Sequence, residues 1–278
     1  MTILLQVLPA ALYAVLGIHF WRTRWADSGP LVGANPTLRR LTPWERLTLL
    51  SGILLHGAGL YLLLFPGGDM RFGFSYALSL IVWLALVFYW IENFYARIEG
   101  LQTLAMPVAA VCILLSLAYP GQHLLANAGS PVFRVHFMMA MLAYSLFTLA
   151  ALHALLMAAA EKRLHEGRLS RALAGLPPLL TMESLLFRLI AIAFVLLTLT
   201  LGTGIVFSES LFGKAFRFDH KTVFAITSWL MFGALLIGRH FRGWRGRIAL
   251  RWTLAGFVTL LLAYVGSRFV LEVILGRA

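Results

Sequence analysis

Eight histidines are the residues of this chain best suited to chemistry, because a neutral imidazole offers a nitrogen lone pair to a metal and titrates close to neutral pH. Two of them open long apolar stretches, His136 in PVFRVHFMMAMLAYSLF and His220 in FRFDHKTVF. If both stretches cross a membrane in the same sense, the two rings start at one depth. Two imidazoles facing each other across a cleft make the bis-histidine site of a six-coordinate b-type haem. Arg134, Arg217 and Lys221 stand beside them and could hold propionates by charge-assisted hydrogen bonds, while Asp219 could orient a ligand imidazole through its second nitrogen. Zinc or copper would need further ligands. Met138, Met139 and Met141 could give soft sulfur to copper, but methionines in a membrane helix most often fill space.

The elements that must position these rings are membrane helices. Of 278 residues, 60% are hydrophobic and 12% charged, with a mean hydropathy of +0.85, a composition that no soluble domain of this length carries. Apolar runs bounded by turn and charge signals give eight spans, about 3–20, 46–65, 74–95, 102–119, 133–159, 185–207, 221–239 and 252–275. The chain reads as an all-α, polytopic membrane helix bundle, residues 1–278 forming a single integral membrane domain. The formal charge of +12 sits between the apolar runs, which argues for orientation in a lipid bilayer and against a nucleic-acid partner. The loops after spans one, three, five and seven hold most of the basic residues, Arg22, Arg39, Arg97, Lys162, Arg188, Arg239 and Arg245 among them. The other side has Arg71, Arg134, Lys214, Arg217, Lys221, Arg268 and Arg277. The positive-inside rule then places both termini outside the cytoplasm, in a bacterial inner membrane. No basic segment precedes the first apolar run, so residues 3–20 read as a retained span. A lone Cys112 inside an apolar run offers no disulfide framework, no CxxC pair and no CxxCH haem attachment.

On this topology the remaining histidines form layers. His123 joins His136 and His220 at the outer side, His56 lies near the middle of span two, and His19, His153 and His240 approach the inner side. An intramembrane ionisable residue asks for a partner, a cavity or a function, which leaves His56, His153 and His240 as candidates for a second haem. Gly52, Gly57 and Gly59 around His56 would let a flat macrocycle or another helix come close, and helix packing is the safer reading. Gly202 and Gly204 in LGTGIVF follow no strand and read as helix-packing glycines. Glu272 stands four residues after Arg268, a spacing at which helical side chains pair. The loop 161–184 reads first as a linker and second as a short interfacial helix before Pro177–Pro178, while the aromatic and basic outer loop 208–220 suits an interfacial belt before a site that packs an apolar ring. No paired carboxylates and no nucleophile with a base appear in the pattern.

Three stretches, VHFMMAMLAYSLF at His136, FDHKTVFAITSWLMF at His220 and the closing RHFRGWRGRIALRWTLAGFVTLLLAYVGSRF, resemble the cytochrome c assembly protein family, the CcsA, HemX and YpjD-like integral membrane proteins, over roughly the second half of the chain. In its synthase branch that family presents haem to apocytochrome outside the membrane through external histidines, a tryptophan-rich loop and histidines within the membrane. The resemblance implies that His136 is the first external haem histidine and that His240 lies near a histidine late in the corresponding span. Where the synthase branch has WGxxWxWDPKE, this chain has FGKAFRFDHK, which keeps Asp219 and Lys221, lacks the tryptophans and puts His220 in the place of proline. The late external histidine is missing from YVGSRFVLEV, so His220 is the natural replacement partner for His136. The short HemX or YpjD-like branch is the nearer likeness, and it implies haem handling or an influence on haem biosynthesis.

The expectation is a non-enzymatic, haem-binding membrane protein involved in haem handling or cytochrome c assembly. Its partners would be the bilayer, haem b and proteins of cytochrome c maturation or haem biosynthesis. Two rival readings stand beside it. One is a subunit of a cytochrome c haem lyase, a haem-transfer enzyme; the other is a structural scaffold without cofactor.

Overall fold

The computed structural model describes residues 3–25, 41–68, 70–95, 100–121, 123–125, 128–165, 176–208 and 219–276. Its helices are α1 (Leu4–Phe20, continued by a wide π-helical turn Trp21–Trp25), α2 (Pro43–Leu64), α3 (Phe74–Glu92) and α4 (Gln102–Ala118). They are followed by α5 (Pro131–His165), α6 (Leu179–Val206), α7 (His220–Arg242) and α8 (Gly246–Leu261). α8 runs on through Ser267–Phe269, flanked by π-helical segments Leu262–Gly266 and Val270–Ile274. Seven of the eight helices are long and apolar enough to cross a membrane, and α4 is a shorter apolar helix of 17 residues. At about 1.5 Å per residue α4 rises about 25 Å, the short end of what a bilayer core of about 30 Å accepts. α5, with 35 residues, is far longer than a bilayer requires and carries Glu161 to an ion pair with Arg247 at 3.1 Å.

Local chemistry sets the ends. Thr42 caps α2, accepting from the Glu45 amide while the Glu45 carboxylate takes the Thr42 amide at 2.7 Å, and Pro43 supplies a fixed φ in the first turn. Asp219 caps α7 by accepting from the Thr222 amide at 2.9 Å. Gly243, at φ 65°, ends α7 in the left-handed region open to glycine, and the Trp244 amide returns to the Gly238 carbonyl. That tight return lays the Trp244 ring so close to Gly238 that a Cβ there would stand 2.5 Å from it.

Consecutive helices run antiparallel, and side-chain contacts fix their register. His136 meets Thr203 while His153 meets Met182, so α5 and α6 run in opposite senses. Trp229 donates to Thr198 and Arg239 to Glu183, which makes α6 and α7 antiparallel too. α5 and α7 are therefore parallel, and they touch through Phe147 and Phe232, stacked with ring centroids 3.9 Å apart. Between membrane helices, where lipid is as apolar as leucine, close contacts and polar bridges hold the bundle together. The glycines on α2 follow the same logic: a Cβ at Gly52 would sit 2.8 Å from Tyr13, one at Gly57 2.8 Å from Trp83, and one at Gly59 2.7 Å from Gln6. These positions serve helix packing, the safer of the two readings.

The two ends of the bundle differ. At the His240 end, buried Glu45 binds His19 at 2.9 Å and Arg24 at 2.7 Å, fastening the end of α1 to the start of α2. Buried Glu183 binds Arg239 and lies 3.8 Å from Arg245, with the Gly246 amide 3.4 Å away, fastening α6 to the α7–α8 turn. At the His136 end, Arg71–Phe72 and His123–Leu124 form a two-stranded antiparallel pair. Phe72 is buried there against Phe137 and Tyr264.

One expected pairing is replaced. Arg268 and Glu272 make no ion pair; Glu272 instead accepts from the Phe74 amide at the start of α3, at 3.2 Å. The physical reason is the competing donor: the start of α3 presents a backbone amide that no carbonyl of its own helix takes, and the Glu272 carboxylate binds it. A carboxylate at a helix N-terminus also meets the positive end of the helix dipole. Gly73 makes room for it, since a Cβ there would stand 2.9 Å from Glu272 Oε2.

Candidate functional site

His136 lies one and a half turns into α5, half-buried against α6. Its Nδ1 is 2.9 Å from the Thr203 hydroxyl oxygen. Thr203 in turn donates to the Leu199 carbonyl at 2.8 Å and approaches the Thr200 carbonyl at 3.1 Å. With its proton spent on the backbone, the hydroxyl accepts from Nδ1–H. That network assigns the lone pair of the neutral ring to Nε2, the nitrogen a metal would take, and fixes the ring's orientation as second-shell partners of metal-binding histidines do. Gly204 lies beneath the ring, where a Cβ would stand 3.4 Å from Cε1. The other glycine of LGTGIVF, Gly202, has nothing within 4 Å of a Cβ position among the described residues.

His220 is the first residue of α7 and is exposed. The Phe147–Phe232 stack sets its level: His136 precedes Phe147 by eleven residues and His220 precedes Phe232 by twelve, about 16 and 18 Å along parallel helices. The helix faces differ. His136 lies about 20° around α5 from Phe147, whereas His220 lies about 120° around α7 from Phe232. Lys221 is only about 20° from Phe232 and so shares its inward face; it is half-buried. On α7 the His220 face is that of Met231 and Gly238, which meet Thr259 and Trp244.

The neighbouring polar residues have distinct places. Arg134 is exposed and donates through Nε to the Ala128 carbonyl at 2.9 Å. Asp219 spends Oδ1 on the Thr222 amide and hydroxyl, at 2.9 and 3.1 Å. Burial opposes its charge, but those two donors together with Lys221 and His220 hold its carboxyl below the usual range. Arg217, and the aromatic loop that contains it, lie outside the described residues, as does most of the segment expected to hold an interfacial helix.

Arg268 is the residue that sequence reasoning set aside. It stands close enough to Lys221 and His123 for its charge to act on both. Burial, followed by the charges of Arg268 and Lys221, lowers the His123 pKa below that of a free histidine. Lys221, Arg268 and His123 thus form a basic cluster at the level of His136, drawn from α7, the end of α8 and the short strand. The signal available in sequence was the count of cations on the sparse side of the topology, where each is conspicuous.

The remaining candidates occupy separate environments. His56 is fully buried between α1, α2 and α3, with Nε2 2.9 Å from Ser79 Oγ and its ring edge-on to Tyr13. His153 is buried and donates from Nε2 to the Met182 carbonyl at 3.0 Å. His240 is exposed and meets the edge of Phe241. None of the contacts of these three rings is with another of them. Among the described residues no group of three or more His, Cys, Asp or Glu side chains could hold a metal ion.

A bundle of eight apolar helices among the described residues, with ionisable residues gathered toward its ends and few inside, defines a multi-pass membrane protein. The chain belongs to the Cytochrome C assembly protein family, whose pattern matches residues 44–275, from the first turn of α2 to the end of α8. It is 32% identical over 237 residues to the inner membrane protein YpjD of Escherichia coli K12, covering 83% of this chain and 89% of that protein. It is also 38% identical over 88 residues to the cytochrome c biogenesis protein CcsA of Prochlorococcus marinus MIT 9515, covering 32% and 28% of the two chains. The CcsA of Gloeobacter violaceus is 32% identical over 92 residues, 33% of this chain and 27% of that one. The protein is a multi-pass bacterial inner-membrane protein with a role in cytochrome c biogenesis.

Proposed function

We propose that the protein handles haem b at the outer end of the bundle, with both termini outside the cytoplasm and His136 as an axial ligand. The observation that carries this reading is the bond from His136 Nδ1 to the Thr203 hydroxyl at 2.9 Å, which orients the ring and keeps its ligating nitrogen unprotonated. His220 is the proposed second ligand, at the same depth and exposed at the first turn of α7. Its position at a helix start lets the side chain swing farther than one held within the bundle. Haem would supply an iron whose two axial positions take imidazole nitrogens. Lys221 and Arg268 would neutralise its carboxylates, with Arg134 and Arg217 as the outer cations. Glycine at 204 leaves the His136 ring uncrowded on its α6 side. His56, His153 and His240, in their separate settings, are structural before they are ligands.

The orientation is supported by the cations at the two ends, with Arg24, Arg46, Arg188, Arg239, Arg242, Arg245 and Arg247 at the His240 end. The deciding experiment is an optical spectrum of protein purified after haem-replete expression, with His136→Ala and His220→Ala beside it. The expected result is a six-coordinate low-spin spectrum that His136→Ala abolishes and His220→Ala converts to a five-coordinate form. An unchanged six-coordinate spectrum in both variants refutes the assignment, and absence of a Soret band in the wild type favours a scaffold role. Covalent haem transfer in a host lacking a lyase would instead establish the enzymatic reading.

A further inference from the structure

At the opposite end of the bundle from His136, a cavity of about 540 Å³ opens between the start of α2 and the end of α3. It is lined by Leu41, Pro43, Leu47, Leu50, Arg46, Trp90 and Phe94. That size falls in the range of about 300–1,000 Å³ typical of small-molecule sites. The Arg46 guanidinium lies over the Phe94 ring, 5.0 Å from its centroid, and Trp90 meets Phe94 edge-on at 4.8 Å. Among the described residues no carboxylate pairs with Arg46, because Glu45 is taken by His19 and Arg24 and Glu92 by Arg188. Two donors of the lining side chains, Arg46 Nε and Trp90 Nε1, are buried without an acceptor. Each such donor costs about 1–3 kcal/mol unless something satisfies it.

We infer that this cavity is a binding site for an anionic phospholipid of the inner leaflet, with an acyl chain along the leucines and the phosphate against Arg46. Three features select that occupant. The walls are apolar, as an acyl chain requires. The charge is a single uncompensated cation beside the chain path, and basic pockets between membrane helices on the cytoplasmic side take anionic head groups. Exposed Trp44 and Tyr95 adjoin the lining residues Pro43 and Phe94 in the chain, and such aromatics favour the membrane surface. The leaflet assignment rests on the orientation proposed above, but the cavity and its chemistry do not depend on His136 or on haem.

The test is native mass spectrometry of the full-length protein released from nanodiscs of equal phosphatidylglycerol and phosphatidylethanolamine content. The wild type should retain phosphatidylglycerol in preference to phosphatidylethanolamine. One cation near a membrane surface contributes about 1 kcal/mol to anionic-lipid binding, so Arg46→Gln should lower the retained phosphatidylglycerol by about fivefold. Phosphatidylethanolamine retention should not change. Leu50→Trp, which fills the cavity, should lower both lipids. Equal retention of the two lipids by the wild type, or phosphatidylglycerol retention unaltered in both variants, overturns the site. So does the loss of a haem adduct in place of a lipid adduct, which would make a porphyrin the occupant. If Arg46→Gln fails to fold by circular dichroism, the wild-type preference and Leu50→Trp decide. The His136→Ala spectrum is read separately, so failure of either proposal leaves the other standing.

Discussion

His136 on α5 and Thr203 on α6 are joined by a 2.9 Å hydrogen bond whose direction is set by a second one, from the Thr203 hydroxyl to the Leu199 carbonyl. Removing the hydroxyl while keeping the shape separates orientation from ligation. Thr203→Val should leave a haem-bound protein whose haem affinity falls about 10–100-fold, the usual cost of losing a partner behind a ligating histidine. Thr203→Ser should restore it. Haem transfer to apomyoglobin measures the affinity, and an unchanged transfer rate in Thr203→Val would mean that the bond has no part in binding.

Glycine substitutions should divide by what faces them. Gly52→Ala and Gly57→Ala each bring a Cβ within 2.8 Å of an aromatic ring and should lose about 1–3 kcal/mol to overpacking. Gly202→Ala meets nothing among the described residues and should gain up to about 1 kcal/mol from helix propensity. Thermal unfolding in detergent, compared across the three variants, checks both signs.

Much of this architecture was legible before any coordinates. The eight helices follow from run length and hydropathy, because a bilayer demands about twenty apolar residues per span. α4 was legible too, although it is shorter than the seven spans of full length. The common depth of His136 and His220 was also within reach, since counting along parallel helices needs only the span starts. What sequence could not give was azimuth. His220 and Lys221 are adjacent, yet only Lys221 shares the inward face of Phe232, and that depends on which side of α7 meets α5 through the Phe147 stack. The Arg268–Glu272 pairing failed for a related reason: the donor that takes Glu272 is the Phe74 amide of another helix, a neighbour that spacing along one helix does not reveal. Thr203 went unnoticed because a threonine in an apolar run ordinarily bonds back to its own helix, as this one also does.

Loss of a buried carboxylate should be costly at the His240 end. Glu183→Gln leaves Arg239 half-buried beside a neutral amide, with Arg245 and the Gly246 amide also deprived of a charged acceptor. The expected cost is about 1–3 kcal/mol, read as a lower thermal midpoint that added salt does not recover.

Acidification should weaken the strand end of the bundle. Burial and the charges of Arg268 and Lys221 lower the His123 pKa in the folded protein, so its contribution is fully present above the unfolded value of about 6.5 and is lost as pH falls through the folded one. The thermal midpoint should therefore drop as pH falls below about 6.5. His123→Gln should flatten that part of the profile, and Arg268→Gln should move the His123 titration, followed by NMR, back upward. A His123 titration unmoved by Arg268→Gln would rule out the cluster.

The two buried carboxylates, Glu45 and Glu183, sit at the same end of the molecule, each riveting one helix to its sequence neighbour or to a nearby turn. A structure riveted at one rim by buried charge yields more readily at the other, where the ties are a two-residue strand pair and single hydrogen bonds. If the proposed haem binds beside His136, the widening it needs should be greatest at that rim and smallest toward the pinned one. That arrangement would give the proposed guest access from one side of the membrane without opening a path to the other.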